Sequence, residues 1–277
     1  MALVLQQDKT SAWVRYLHQR IEQNKNFVGF VGGPTGSGKS WSCLSIAEET
    51  DPNFSIDNVV FDAKALMALI NSGKLKSGSF IVFEEAGVSL SNRNWQSQLN
   101  KIINYLFQTF RHKRFILLLN SPYMDFIDAA SRKLFHAEFK TIKIDKQRQA
   151  TILKPQVIQY NDRKDKFYYK YLRVITGPGM RAPVKTWAVK KPSQSLIDAY
   201  EAKKTAFTNA LNKEIEAQLQ EKDNKKDKPD FKCTSCKHIW TPKGKSPSRC
   251  PKCDKNTVIE ATAPDLEPHP AKTPTPI

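Results

Sequence analysis

The chain has 277 residues, of which 40% are hydrophobic and 26% are charged, as in an ordinary globular protein rather than a disordered or fibrous one. Its 44 Lys and Arg residues outnumber its 27 Asp and Glu residues, so the formal net charge is +17. This excess predicts a polyanionic partner, either nucleic acid or an anionic membrane surface. Apolar runs are short and the N-terminus lacks the pattern of a secretory signal, so we expect a cytoplasmic protein without a membrane span.

The first half of the chain alternates helical patterns with short apolar runs that are typical of buried strands. Short apolar strands separated by helices indicate a parallel sheet, and the predicted fold class is therefore α/β. The predicted helices lie at about 10–25, from the glycine-rich loop to Asp51, at 65–70 and at about 93–112, and the predicted strands lie at 27–32, 58–61, 80–85 and 114–120.

Charge and composition change beyond residue 140. Residues 1–140 hold 16 basic and 12 acidic residues, whereas residues 141–192 hold 13 basic and 3 acidic residues. The polyanion-binding surface is therefore expected mostly outside the N-terminal half. The predicted divisions are a first domain at 1–192 with a core at 27–140 and a basic β-rich extension at 141–192, a helix and charged linker at 193–230, a cysteine-bearing unit at 231–260 and a disordered tail at 261–277.

The segment GPTGSGKS, from Gly33 to Ser40, matches the phosphate-loop pattern G-x-x-x-x-G-K-[S/T] in full. It follows a predicted strand and opens a predicted helix, which is the context that the motif requires and that a chance glycine-rich turn would lack. Glycines let backbone N–H groups approach phosphate oxygens, and the helix N-terminus adds positive potential. We expect Lys39 to reach the β- and γ-phosphates and the Ser40 hydroxyl to bind Mg²⁺.

The motif therefore predicts a P-loop NTPase with a RecA-like parallel sheet flanked by helices. The run NKKD at 224–227 imitates a guanine-specificity motif, but it lies in a polar linker with no preceding strand, so we favour ATP. Nucleotide binding is assigned to Gly33, Pro34, Thr35, Gly36, Ser37, Gly38, Lys39, Ser40 and Trp41.

Two adjacent carboxylates, Glu84 and Glu85, end the apolar run FIVFEE. One is expected to hold Mg²⁺ and the other to polarise the attacking water. The alternative is a strand that simply runs out into an acidic loop. Asp62 is a rival for the metal role, although it directly precedes a helix and N-capping explains it equally well.

Polar and basic residues follow the next apolar run, RFILLLN. Asn120 ends this predicted strand and could orient the lytic water or sense the γ-phosphate, but Asn is also a common turn residue. Arginines that could reach the γ-phosphate of a neighbouring subunit are Arg93, Arg111, Arg114 and Arg132. Most arginines of a basic protein are solvated; Arg111 and Arg132 are favoured because they flank the Asn120 strand.

These motifs follow one another in an order that resembles the ATPases of the additional-strand class with a catalytic glutamate. The segments that show this resemblance are GGPTGSGKS, FIVFEE, QTFRHKRF, FILLLNSP and FIDAASRKLFH. Within that class, residues 27–140 are most similar to the FtsK/HerA group and to the N-terminal domain of zonular-occludens-toxin-like phage proteins. The resemblance implies that the glutamate strand lies beside the loop strand, and it implies ring oligomers and ATP-driven DNA movement.

The resemblance also implies roles for individual residues. Glu84 would be the Mg²⁺ residue, Glu85 the catalytic base, and Asn120 the strand-tip polar residue, which is often Gln in that group. The metal carboxylate of the group is usually Asp, where this chain has Glu84. Toxin-like phage proteins usually carry a membrane span, and none is predicted in this chain, which argues against extrusion through a membrane.

Two Cys-x-x-Cys pairs, separated by the 13 residues 237–249, predict a zinc ribbon. Pairs at this distance can bring four thiolates together around one Zn²⁺, and an all-cysteine site is expected to be structural. A unit this small cannot fold on its own apolar core, so the metal is expected to stabilise it. His238 is expected at the surface, and Cys43 in the core. The cysteine-bearing segment at 233–253 resembles zinc ribbons common in archaeal proteins, which suggests an archaeal or viral source. The predicted zinc ligands are Cys233, Cys236, Cys250 and Cys253.

The segment KDKFYYKYLR, at 164–173, interleaves aromatic and basic residues. The lysines could neutralise phosphates while the aromatic rings stack on unpaired bases. The alternative, which we favour for the aromatics, is a strand with one aromatic face in the core and its lysines in water.

Three functions fit these motifs. The favoured one is a DNA-engaged ATPase, such as a packaging or segregation translocase that works as a homo-oligomer, with a ring possible. The second is an ATP-dependent loader or switch that recruits a protein partner through the ribbon without translocating. A small-molecule kinase is disfavoured by the paired carboxylates and the basic, ribbon-bearing C-terminal part.

Overall fold

The computed structural model describes residues 10–84, 113–226, 231–240 and 247–261. Within these ranges the helices are α1 (Ala12–Glu22), α2 (Lys39–Thr50), α3 (Ala63–Asn71), α4 (Ala129–Arg132) and α5 (Gln194–Lys226). The strands are β1 (Phe27–Gly32), β2 (Val59–Val60), β3 (Phe80–Phe83), β4 (Ile116–Ser121), β5 (Ala137–Asp145), β6 (Ala150–Asn161), β7 (Lys166–Lys170), β8 (Arg173–Gly177), β9 (Met180–Pro183), β10 (Trp187–Lys190), β11 (Phe231–Cys233), β12 (Ile239–Trp240) and β13 (Val258–Glu260). The helix predicted at about 93–112 lies outside the described residues.

The central sheet is mostly parallel in its first half and antiparallel in its second half. Its strand order is β10-β6-β5-β1-β4-β3-β2, and β7 pairs with β6. Strands β2, β3, β4, β1 and β5 run parallel to one another, whereas β6 pairs antiparallel with each of its neighbours β5, β7 and β10. The predicted α/β class with a parallel sheet flanked by helices is confirmed.

One expected detail of the sheet is wrong. Strand β4 lies between the loop strand β1 and the glutamate strand β3, so the latter two are not neighbours. In the register, Asn120 of β4 pairs with Val31 of β1, and Leu119 pairs with Phe83 of β3. Asn120 therefore lies at the carboxyl end of a central strand, between the phosphate loop and Glu84.

Helices cover both faces of the parallel half, which explains why every residue of β1, β3 and β4 is buried. On one face, Trp13 of α1 and Leu44 of α2 belong to a cluster with Val31 of β1. On the other face, Leu66 and Ile70 of α3 pack with neighbouring strand residues. Burial of these continuous apolar strands accounts for most of the driving force for folding.

The basic extension is built on β5 and β6, which pair along most of their length. The aromatic residues of β7 differ from the favoured interpretation. Tyr168 and Tyr169 are 39% and 43% exposed, and only Phe167 packs against the core. Strand β7 pairs only with β6 among the described strands, and this edge position leaves its tyrosines in solvent.

Helix α5 packs its first turns on the parallel half of the sheet. Leu196, Ile197 and Tyr200 are buried, and the ring of Phe207 stacks on Phe61, with centroids 5.2 Å apart. The chain divides into two compact units, Met1–Ala210 and Leu211–Ile277. No helix among the described residues has both the length and the apolarity to cross a bilayer.

The second unit contains a small three-stranded sheet with the order β12-β11-β13, in which both pairings are antiparallel. Phe231 is buried, and the rings of His238 and Trp240 are stacked. Few apolar side chains of this sheet are buried, so its own core is small.

Candidate functional site

The phosphate loop connects β1 to α2, as the sequence predicts. Gly33 and Gly38 have φ angles of 149° and 88°, which side chains of L-residues rarely adopt. A Cβ atom at Gly33 would lie 1.9 Å from Thr141 Oγ1, and one at Gly38 would lie 2.5 Å from Thr151 Oγ1. Both positions therefore require glycine for conformation and for space.

Two threonines of the basic extension support this loop, and the sequence gives little sign of them. Thr141 of β5 donates a hydrogen bond from its hydroxyl to Ser37 Oγ at 2.8 Å. Thr151 of β6 lies against Gly38. Only the pairing of β5 with β1 and β6 brings them to the loop, and spacing along the chain does not reveal that pairing.

The first residues of α2 carry the charged and aromatic groups of the loop. Lys39 Nζ lies 3.0 Å from the carbonyl oxygen of Pro34, so the ammonium group stays over the loop. Trp41 is 40% exposed, and Lys191 Nζ lies 5.4 Å from its ring centroid. A flat exposed ring beside a phosphate-binding loop can stack against a planar base.

Ser40, Glu84 and Asn120 form a hydrogen-bonded cluster at the carboxyl ends of the strands. The Ser40 hydroxyl donates to Glu84 Oε2 at 3.0 Å, and Asn120 Nδ2 donates to Glu84 Oε1 at 2.7 Å. Asn120 Nδ2 also lies 3.3 Å from Ser40 Oγ. Glu84 and Asn120 are only 5% and 3% exposed, so the carboxylate is almost fully shielded from solvent.

A fourth residue completes this cluster and was not predicted. Tyr200 of α5 donates from its hydroxyl to Glu84 Oε2 at 2.9 Å. Burial raises the pKa of Glu84, and the hydrogen bonds from Tyr200 and Ser40 oppose that rise. Burial also raises the pKa of the Tyr200 phenol, which stays a neutral donor. No local motif marks Tyr200, because it lies 116 residues from Glu84.

The donor set of this cluster fits Mg²⁺. A hydroxyl oxygen and a carboxylate oxygen meet within 3.0 Å next to the loop that would carry the phosphates. Mg²⁺ prefers oxygen ligands and is usually bound through one or two protein groups, substrate phosphates and water. Ser40 and Glu84 are therefore the residues that would hold the ion.

The other predicted residues occupy different positions. Asp62 caps α3, since its carboxylate accepts a hydrogen bond from the Ala65 N–H, and this explains it without a metal. Arg132 forms an ion pair with Asp125 at 2.9 Å. Arg114 donates to the Asn24 side chain. Predicted residues outside the described ranges are Glu85, Arg93 and Arg111.

The four predicted zinc ligands come together in the second unit. The sulfur atoms of Cys233, Cys236, Cys250 and Cys253 all lie within 4.8 Å of one another. A tetrahedral site with Zn–S bonds of about 2.3 Å places its sulfurs about 3.8 Å apart, and the distance between the sulfurs of Cys233 and Cys253 is 3.6 Å. The Thr257 hydroxyl lies 3.3 Å from Cys233 Sγ and lowers the pKa of that thiol, which favours the thiolate that a metal requires. The four sulfurs therefore fit one zinc ion.

Several solved structures resemble this chain, and they include the following two. The N-terminal domain of zonular occludens toxin from Neisseria meningitidis has a TM-score of 0.34 and 14% identity, and the match covers 53% of this chain and 95% of that one. A DNA polymerase III gamma subunit-related protein from Thermotoga maritima has a TM-score of 0.37 and 9% identity, with 48% of this chain and 47% of that one covered. No family model matches the chain, and no curated protein matches it by sequence.

Both scores are low, so the fold assignment follows from the chain's own features. A parallel sheet carries a complete phosphate loop at the end of β1, and helix α2 begins at the loop lysine. The chain has the α/β fold of a P-loop NTPase, with a cluster of four cysteines near its C-terminal end.

Proposed function

We propose that the chain is an ATPase that binds and hydrolyses ATP and acts on DNA. The observation that carries the proposal is the buried cluster of Ser40, Glu84 and Asn120, which lies next to a complete phosphate loop. A carboxylate joined to the loop serine is the arrangement that a Mg²⁺–triphosphate site needs. A loop used only for phosphate binding would not require a buried acid.

The cluster and two further residues, Lys39 and Glu85, have distinct roles in the proposal. Lys39 neutralises the β- and γ-phosphates, while Ser40 and Glu84 hold Mg²⁺, which would offset charge on the phosphate oxygens. Asn120 fixes the orientation of Glu84 by donating to Oε1. Glu85, the residue after Glu84, is proposed to polarise the attacking water.

The nucleotide base is proposed to be adenine and to lie against Trp41. The ring is exposed and belongs to the third residue of α2. Lys191 already lies over this ring, so it would either line the base site or move aside. Adenine is the default because the chain carries no guanine-specificity motif after a strand.

The DNA-binding surface is proposed to lie on β7. Lys166, Tyr168 and Lys170 alternate along this strand, so they project from the same face, and all three are exposed. Lysines on one face neutralise neighbouring phosphates, and an exposed tyrosine between them can stack on a base. These three residues are called the β7 surface below.

We further propose that the chain is a translocase or packaging-type motor of the FtsK/HerA and zonular-occludens-toxin-like group, and that it assembles as a homo-oligomer. In such an assembly an arginine from a neighbouring copy would stabilise charge on the γ-phosphate. Arg111 and Arg132 are the candidates. Arg132 is already paired with Asp125 in its own chain, so it would have to exchange that partner.

The test is ATP hydrolysis by the full chain in Mg²⁺, with and without long duplex or single-stranded DNA. A motor predicts several-fold stimulation by one of these forms, and Glu85→Gln should bind ATP without hydrolysing it. Slow turnover that is indifferent to both forms of DNA would contradict the motor and favour the loader or switch. Normal turnover by Glu85→Gln would remove the base assignment.

A further inference from the structure

The C-terminal helix α5 reaches the proposed Mg²⁺ site through one side chain. Tyr200 is 1% exposed, and its hydroxyl lies 2.9 Å from Glu84 Oε2, the same oxygen that accepts from Ser40. Asn120 donates to the other carboxylate oxygen. With three donors on its two oxygens, the Glu84 carboxylate is held in one orientation.

The same stretch of α5 is fastened beside the strand that carries Glu84. Lys203 Nζ donates to the carbonyl oxygens of Ile56 and Val59, at 2.8 and 2.7 Å. Phe207 stacks on Phe61, directly after β2. The Glu84 N–H donates to the Val60 carbonyl, so the backbone of Glu84 is bonded to β2. Helix α5 contacts residues at both ends of this same strand.

The helix does not end where this docking ends. It continues to Lys226, and the boundary between the two compact units falls within it, after Ala210. Tyr200 therefore belongs both to a continuous helix that enters the second unit and to the hydrogen-bond network of the phosphate site.

We propose that Tyr200 is a positioning residue for Glu84, and that it couples the docking of α5 to the binding of Mg²⁺ and nucleotide. The inference rests on the proposed function, because it takes Glu84 as the Mg²⁺ residue. Residues that orient a metal ligand typically change metal affinity or activity by about 10- to 100-fold when they are removed. Since coupling is reciprocal, nucleotide with Mg²⁺ must in turn stabilise the docked helix.

Tyr200→Phe is the variant that tests positioning, because it keeps the buried ring and removes only the hydroxyl. Tyr160→Phe is the matched control. The Tyr160 hydroxyl also donates to a carboxylate, that of Asp165, but both residues lie in the β6–β7 hairpin and neither belongs to the Glu84 cluster. The readout is the dissociation constant of a fluorescent ATP analogue, measured in Mg²⁺ and again in EDTA. We expect Tyr200→Phe to weaken the Mg²⁺-dependent part of the affinity about 10-fold or more, with the EDTA value and the control unchanged.

The outcomes separate the two proposals. If wild-type protein does not bind the analogue, or binds it equally well with and without Mg²⁺, the proposed function fails and this inference fails with it. If wild type responds to Mg²⁺ and Tyr200→Phe responds to the same extent, only the positioning role is overturned. An equal loss in Mg²⁺ and EDTA would assign Tyr200 to packing alone and would also overturn it.

Hydrogen exchange tests the coupling directly. We expect amides 197–207 to exchange at least several-fold more slowly in wild type when Mg²⁺ and a non-hydrolysable ATP analogue are added, and this protection to be lost in Tyr200→Phe. Lys203→Gln removes a docking contact without touching Glu84, so it should raise basal exchange yet keep the nucleotide-dependent protection. Equal protection in wild type and Tyr200→Phe, or none in wild type, would contradict the coupling.

Discussion

Asn120 donates to one oxygen of the buried Glu84 carboxylate, while Ser40 and Tyr200 donate to the other. Its Nδ2 supplies the hydrogen bond to Glu84 Oε1 at 2.7 Å, and burial already raises the pKa of that acid. Removing one donor leaves a buried acceptor unsatisfied, which costs about 1–3 kcal/mol. The geometry of Glu84 therefore depends on its neighbours as much as on its own rotamer.

Asn120→Ala is expected to lower ATP turnover by about 10-fold or more and the free energy of unfolding by about 1–3 kcal/mol. Asn58→Ala is the matched control, because Asn58 Nδ2 donates to the Phe80 carbonyl at the opposite end of β3. The control should lose stability but keep its turnover. Turnover and thermal unfolding of both variants check this; unchanged turnover in Asn120→Ala would contradict the role.

His136 predicts a pH dependence of stability. The Val28 N–H donates to His136 Nδ1 at 3.0 Å, and burial, with the nearby Arg20 charge, lowers the pKa of this histidine to about 3. An unfolded histidine titrates near 6.5. Because the folded pKa is the lower one, the unfolded state takes up the proton first, and the contribution is complete above about pH 6.5 and lost as the pH falls towards 3.

Denaturant unfolding at several pH values between 7 and 4 checks this dependence. The free energy of unfolding of the wild type should decrease as the pH is lowered through this window. In His136→Gln, which does not titrate, the slope of that free energy against pH should be smaller, by an amount that corresponds to the uptake of up to one proton. His18→Gln controls for loss of a histidine elsewhere, in α1. An identical pH slope in wild type and His136→Gln would contradict the assignment.

At the scale of elements, the sequence predicted well wherever the signal was local. The phosphate loop and the apolar runs of β1, β3 and β4 follow from neighbouring residues, whereas the sequence left Asp62 open between a metal role and the capping of α3 that the structure shows. Pairing between distant elements was not predictable in the same way. The position of β4 between β1 and β3, Thr141 against the loop and Tyr200 against Glu84 all depend on long-range packing.

The tyrosines of β7 illustrate the same limit. An alternating strand predicts one buried face, but which face is buried depends on what covers the sheet there. Tyr168 and Tyr169 lie on an edge strand and both remain exposed. Sequence periodicity predicted that this segment is a strand, whereas the exposure of its tyrosines follows from the position of β7 in the sheet.

The β7 surface predicts the salt dependence of DNA binding. Replacing both Lys166 and Lys170 with Gln should weaken duplex binding and reduce the slope of log affinity against log salt by about 2, since each lost phosphate contact lowers it by about 0.9. The same double change at Lys64 and Lys74, which are exposed at and beyond α3, is the control. Fluorescence anisotropy titrations at several salt concentrations check it; equal slopes in both double variants would place the DNA elsewhere.

For the whole molecule, two units with different sources of stability are expected to respond separately to metal removal. The first unit has extensive apolar clusters, whereas the described residues of the second include four clustered cysteines and few buried apolar side chains. Folding of such a small unit is expected to depend on Zn²⁺ binding. The net charge of +17 belongs to the entire chain, so DNA affinity is read most reliably on full-length protein.

Cys250→Ser is expected to abolish the zinc content of about one ion per chain that the four-cysteine site predicts. Cys43→Ala, in α2, should retain the metal, because this buried thiol lies outside the cluster. Atomic absorption gives the zinc content, and hydrogen exchange should rise within 231–260 while β1 and β3 stay protected. Full zinc content in Cys250→Ser would contradict the site.

The most direct test of the central claim is phosphate release from ATP by wild-type protein, Lys39→Ala and Lys64→Ala. Lys64 is an exposed lysine of α3 and serves as the matched control. Hydrolysis that requires Mg²⁺, persists in Lys64→Ala and is abolished in Lys39→Ala is the predicted result. Absence of hydrolysis in wild type with and without DNA, or equal hydrolysis in Lys39→Ala, would contradict an ATPase site at this loop.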